Sequence, residues 1–148
     1  MGDGRQGGRR PRLPARAPSI EPGYSETLPR ERETAGIARE LVRAALDRWC
    51  LPQPADDAAV VVTEFVANAV DHAKGRTVRV TVTLTGATCI RISVVDGVAN
   101  RQPRTRAADP DAERGRGMLL VEAVSERWGV DTLPWGKRVW AELEAKTT

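Results

Sequence analysis

The sequence predicts an α+β protein, a two-layer α/β sandwich in which a mixed, mostly antiparallel sheet is covered on one face by three helices. Three observations predict it. Two early stretches carry apolar residues at helical spacing, and a third such stretch lies beyond residue 115. Two pairs of short β-type segments are each joined by a tight turn. The order is helix, helix, hairpin, long polar stretch, helix, hairpin, so the strands have short connections that favour antiparallel pairing.

Residues 1–22 are rich in Gly, Arg and Pro and have no apolar period, which predicts a disordered tail ahead of one domain at 23–145. Tyr24 to Leu28 reads as a short edge strand, and Pro29 stands where a helix can begin. Ile37, Leu41, Ala45 and Trp49 recur every four residues, predicting an amphipathic helix that stops at Leu51-Pro52. Asp56-Asp57 suits the positive end of a second helix running to about Ala73. Val78, Val80, Val82 and Leu84 alternate with Thr and Arg, the period of a half-buried strand. Thr85-Gly86-Ala87 turns the chain into a partner strand carrying Ile90, Ile92 and Val94. The polar stretch 97–114 is long for a loop within a compact domain, a length usually functional or disordered. A helix is expected from Gly115 to about Arg127. Strands follow near 128–132 and 137–144, joined by Leu133-Pro134-Trp135-Gly136.

Composition narrows the function. The chain has 148 residues, 41% of them hydrophobic and 29% charged, and its formal net charge is +3. Residues 1–20 hold five of the 23 basic residues and one of the 20 acidic ones, leaving 18 against 19 beyond them. The basic excess belongs to the tail, so a folded nucleic-acid-binding domain is not indicated. Five arginines could still give salt-dependent, non-specific contact with nucleic acid. No window reaches the roughly 18 apolar residues of a membrane span. Arg9-Arg10 leads into Pro, Arg and Ala rather than an apolar stretch, so no export signal is read and a cytoplasmic chain with reduced Cys50 and Cys89 is expected. A single His excludes a multi-histidine metal site, and nothing around His72 supports a catalytic triad.

Four features can carry chemistry. The second helix is apolar over most of its circumference, and Glu64, Asn68, Asp71 and His72 form its polar stripe. That stripe faces solvent, a polar network or a ligand cavity. Glu64 and Asn68, one turn apart, offer a carboxylate base and an oxygen ligand for a hard cation. Asp96-Gly97 follows an apolar strand. Its carboxylate suits an amine-bearing base, although Asp-Gly is also ordinary turn chemistry. Arg114-Gly115-Arg116-Gly117 opens a helix, where free N–H groups and glycines make an anion site, or else the arginines are solvated charges. Gly136-Lys137-Arg138-Val139-Trp140 reads as a tight turn and the exposed basic start of a strand. The four tryptophans are too dispersed for a stacking platform, and core or edge packing is expected of each.

In this order and spacing the features resemble the GHKL ATPase superfamily of gyrase, histidine kinases and mismatch-repair ATPases. The nearest likeness is its single-domain branch of anti-sigma-factor serine/threonine kinases, from about Tyr24 to Leu143. Thr63 to Ala73 (TEFVANAVDHA) resembles the N box, Val94-Val95-Asp96-Gly97 the adenine box, and Gly115 to Val121 (GRGMLLV) the glycine box after the ATP lid. Trp128-Gly129 and Gly136 to Leu143 (GKRVWAEL) resemble the closing hairpin of stand-alone members.

The resemblance implies a GHKL-type ATPase fold that binds ATP and Mg²⁺. Glu64 would be the general base and Asn68 the metal ligand. Asp71, Asp96, Gly97, Gly115, Arg116 and Gly117 would join Asn68 in binding ATP, with 97–114 as the lid. It further implies a sigma factor and an anti-sigma antagonist as protein partners, the antagonist being phosphorylated, and a homodimer on resemblance alone. The alternative is a non-catalytic, nucleotide-gated protein-binding module. Two departures bear on the choice. Gly97-Val98-Ala99-Asn100 lacks the second glycine that the superfamily favours after the adenine box. Arg138 replaces the Thr that relatives usually carry after Gly-Lys, which removes a small hydroxyl near the nucleotide.

Overall fold

A computed structural model describes residues 22–96 and 118–145 of the chain. The tail, the stretch 97–114, and Gly97, Gly115, Arg116 and Gly117 lie outside the described residues. Strand β1 (Gly23–Pro29) leads into helices α1 (Thr34–Arg48) and α2 (Ala55–His72). A hairpin of β2 (Thr77–Leu84) and β3 (Cys89–Asp96) follows, and a second hairpin of β4 (Arg127–Leu133) and β5 (Gly136–Glu144) closes the chain. A helical segment, α3, spans residues 118–124. The sheet order is β1-β2-β3-β5-β4, and all four described pairings are antiparallel.

Register explains the core. Val80 faces Val94, which faces Val139; Val82, Ile92 and Ala141 form the next row, and Leu84, Ile90 and Leu143 the next. Because side chains alternate along a strand, these rows stack on one face. Phe65, Val61 and Val62 of α2, Val42 and Leu46 of α1, and Met118 and Val121 of α3 join the same buried cluster. Three helices therefore cover one face, and the expected two-layer sandwich is the fold. Arg91, Ser93, Arg138, Trp140 and Glu142 alternate onto the other face. There the Arg91 guanidinium lies 4.3 Å over the Trp140 ring, and Arg91 and Arg127 both donate to the Glu142 carboxylate.

Several boundaries differ from the sequence reading. Pro29 ends β1 rather than starting a helix. It pairs with Thr77 on an edge strand, where a missing N–H is tolerated. The buried stripe of α1 is Thr34, Ala38, Val42, Ala45 and Leu46, so Ile37 is 47% exposed. Small Ala38 and Ala45 let α1 approach its neighbours, and that shifts the stripe one residue past Ile37. The third helix stops at residue 124, because Arg127 already pairs with Glu142 in β4. Trp49 stacks near Tyr24, with ring centroids 5.6 Å apart, and Trp128 packs on the core. Trp135 instead tips the β4–β5 turn, where two residues join the strands, and is 50% exposed.

The end of α1 has an unusual residue. The Leu51 N–H bonds the Leu46 carbonyl at 2.8 Å and the Cys50 N–H bonds that of Asp47 at 3.0 Å, closing the helix with a Schellman pair. That motif needs a left-handed residue, and here it is Cys50 (φ 57) where glycine is usual. Cys50 and Cys89 are both free thiols, and no described helix is long and apolar enough to cross a membrane.

Candidate functional site

One end of the sandwich gathers the strongest chemistry. The C-terminus of β3, the start of β5, the start of β2 and the end of β1 meet there, since Asp96 lies between Val78 and Lys137, and Val78 pairs with Leu28. The C-terminus of α2 is tied to the same end by Arg30. Its guanidinium donates to the Val70 carbonyl at 2.7 Å, to the Ala69 carbonyl at 3.4 Å and to the Gly75 carbonyl. These carbonyls lie at or just past the negative end of α2, where a cation is favourable. The backbone N–H of Arg30 also bonds the Arg76 carbonyl at 2.9 Å, fastening the turn into β2.

Asp96 is buried, at 5% exposure, and stands on the helix-covered face. It is a sheet residue paired on both sides, not a loop residue of a turn. Lys137, its cross-strand partner, shares that face. Burial raises its pKa above the ordinary carboxylate value, while the Lys137 charge and N–H and the Arg30 charge oppose that rise. A buried carboxylate accepts only through its oxygens when ionised and so has acceptor capacity for a ligand amine.

The predicted stripe on α2 is real as geometry. Glu64 and Asn68 are both half-buried, one helical turn apart, while Val61, Val62, Phe65 and Val66 around them are buried. Asp71 is exposed, 3.7 Å from Arg32 of the β1–α1 turn, a surface pair of small energetic worth. His72 ends the helix. Glu64, Asn68 and Asp71 thus share one helix whose C-terminus reaches the Asp96 end.

Arg138 requires a correction. It pairs with Val95 and lies on the sheet face away from Asp96, where its Nε donates to Asp131 at 3.1 Å. A residue there cannot bring a hydroxyl to the Asp96 side, so this departure carries no consequence for the site. The side chain that shares the face of Asp96 is Lys137. Sequence reasoning quoted Lys137 within a motif yet gave it no role, because the parity between Asp96 and Lys137 depends on a register linking distant segments. Gly136 was likewise missed. A Cβ there would overlap the Asp96 carbonyl oxygen and sit 3.3 Å from Asp96 Oδ1. Nothing in the local sequence around Arg30 signals its role.

This two-layer sandwich, with a polar helix stripe and a buried strand-end carboxylate, is the architecture of an ATP-binding domain of the GHKL type. A family model described as a histidine kinase-like ATPase domain matches residues 28–143. The chain belongs to that family and is an ATP-binding protein of the superfamily. No curated protein matches it.

Proposed function

We propose that this protein is an ATP- and Mg²⁺-dependent regulator acting in the cytoplasm, an anti-sigma-type serine/threonine kinase that phosphorylates an antagonist protein and sequesters a sigma factor. The observation that carries the reading is that the helix bearing Glu64, Asn68 and Asp71 has its C-terminus tied to the end of the fold where Asp96 is buried. In this reading Asp96 accepts a hydrogen bond from the adenine amine. Gly97, Gly115, Arg116 and Gly117 complete the nucleotide site, with N–H groups and a cation for the phosphates.

Asn68 offers one amide oxygen one turn from the Glu64 carboxylate, and no group of three or more His, Cys, Asp or Glu is gathered among the described residues. This donor set fits Mg²⁺, which takes one or two protein ligands and completes its shell with phosphates and water. When bound, Mg²⁺ would neutralise charge on the transferred phosphoryl group. Glu64 takes the proton of the substrate hydroxyl as that oxygen bonds the γ-phosphorus and the bond to the bridging oxygen of ADP breaks.

Glu64→Gln keeps the shape of the stripe and removes the base. ATP binding should persist while transfer to the antagonist falls by about 10²–10⁴-fold. The assay is incubation of captured partners with labelled ATP. A Glu64→Gln protein that transfers phosphate at the parental rate would overturn the kinase reading. If the parent binds ATP and partners yet transfers nothing, the nucleotide-gated binding module replaces it.

A further inference from the structure

Arg30 joins the sheet that carries Asp96 to the helix that carries Asn68. Its backbone belongs to the sheet end. Leu28 pairs with Val78, which pairs with Asp96, and Pro29 pairs with Thr77. The Arg30 N–H extends that ladder by bonding the Arg76 carbonyl at 2.9 Å. On its other side the Pro29 carbonyl accepts from the hydroxyl of buried Thr34, at 2.5 Å. The side chain then crosses to the helix layer. Its Nη1 donates to the Val70 carbonyl at 2.7 Å and the Ala69 carbonyl at 3.4 Å, and its Nε donates to the Gly75 carbonyl. Ala69 and Val70 directly follow Asn68, in the last turn of α2, where carbonyls run short of N–H partners. We propose that Arg30 is a positioning residue whose guanidinium holds the last turn of α2, and Asn68 with it, in place relative to Asp96. The proposal rests on the reading of Asp96 as the base acceptor and Asn68 as the metal ligand.

In that reading a nucleotide engages both anchors at once, so their relative placement sets its affinity. A ligand that reaches only one anchor does not sense the placement. The planar guanidinium suits the task, because its Nη1 and Nε serve the helix end and the turn beyond it from one rigid group. A lysine keeps the charge and loses the fork. That difference matters because burial raises the Asp96 pKa and the Arg30 charge is one of those that oppose the rise. A role through charge alone would survive in lysine. A role through the grip on α2 would not.

The test compares the parent with Arg30→Gln and Arg30→Lys, each alone and combined with Asn68→Ala. Calorimetry gives the affinities for adenosine, a probe for the Asp96 end alone, and for MgATP. Amide exchange in the ligand-free protein follows the Ala73 N–H, which bonds the Ala69 carbonyl. In Arg30→Gln that amide should exchange faster while those of Phe65 and Val66 keep the parental rate. MgATP affinity should fall by about 10–100-fold, the usual cost of losing a group that orients a metal ligand, while adenosine affinity holds. Arg30→Lys should show most of the same loss. In the Asn68→Ala background, Arg30→Gln should cost MgATP nothing further. Unchanged exchange at Ala73, an equal loss for adenosine and MgATP, or losses from Arg30 and Asn68 that simply add would each overturn the proposal. So would full recovery in Arg30→Lys, which would assign the effect to charge. If Asn68→Ala by itself leaves MgATP affinity intact, the metal-ligand reading fails and takes the proposal with it, an outcome distinct from the others. Should Arg30→Gln fail to fold, Arg30→Lys carries the comparison, and parental MgATP affinity in it is equally decisive against the proposal.

Discussion

Replacing Gly136 with alanine perturbs the contact that joins the closing hairpin to the Asp96 end of β3. A Cβ at this position overlaps the Asp96 carbonyl oxygen and lies 3.3 Å from both its carbonyl carbon and Oδ1. The nearest obstruction is backbone, so no change of rotamer relieves it. β3 and β5 must separate where Asp96 pairs with Lys137. Overpacking of this kind costs about 1–3 kcal/mol, and a weakened ladder hydrogen bond adds about 1 kcal/mol. The expected loss is therefore about 2–4 kcal/mol. For 148 residues that corresponds to a fall in Tm of roughly 6–15 °C. Thermal unfolding followed by circular dichroism measures it. Gly36→Ala is the matched control. On α1 its Cβ meets only Arg39 Nη2, at 3.7 Å, and alanine should stabilise the helix by about 0.5–1 kcal/mol. A Gly136→Ala protein melting within about 1 °C of the parent, against the scale above, would refute the claim that this close approach requires glycine.

Three further outcomes are expected. Cys50→Gly should raise stability by about 0.5–1 kcal/mol, since glycine takes the left-handed conformation of Cys50 (φ 57) without a Cβ penalty; urea unfolding measures it. Asp96→Asn should cost about 1.5–3 kcal/mol of ATP affinity by calorimetry. It should leave the ligand-free fold at least as stable at neutral pH, because the folded-state pKa of Asp96 is raised and its ionised form is disfavoured by burial. For Glu142, burial raises the pKa but the hydrogen bonds from Arg127 and Arg91 outweigh it and hold the folded-state pKa below the ordinary value. Its stabilising contribution is thus complete above that ordinary value and lost as pH falls through the lower, folded-state one. Glu142→Gln should flatten that part of the acid-stability curve, which acid titration of the melting temperature would reveal.

The two-layer fold is legible in the sequence, because its signals are local. Alternating Val78, Val80 and Val82, the Thr85-Gly86-Ala87 turn and the valine-rich second helix each carry their period within a few residues. The stripe on α2 was legible for the same reason, since Glu64 and Asn68 need only a helix to stand one turn apart. Which face each closing-hairpin residue takes follows from long-range pairing. Arg138 and Lys137 are adjacent in sequence and equally basic, and only the pairing of Asp96 with Lys137 puts one on the face of the buried carboxylate and the other on the face of Asp131. Gly136 reads as a turn glycine until Asp96 is found against it. Arg30 reads as a charge after a proline until three carbonyls on and just beyond α2 converge on it. A period is written in neighbours along the chain, whereas register and long-range contact depend on segments about 40 residues apart meeting at one backbone spacing.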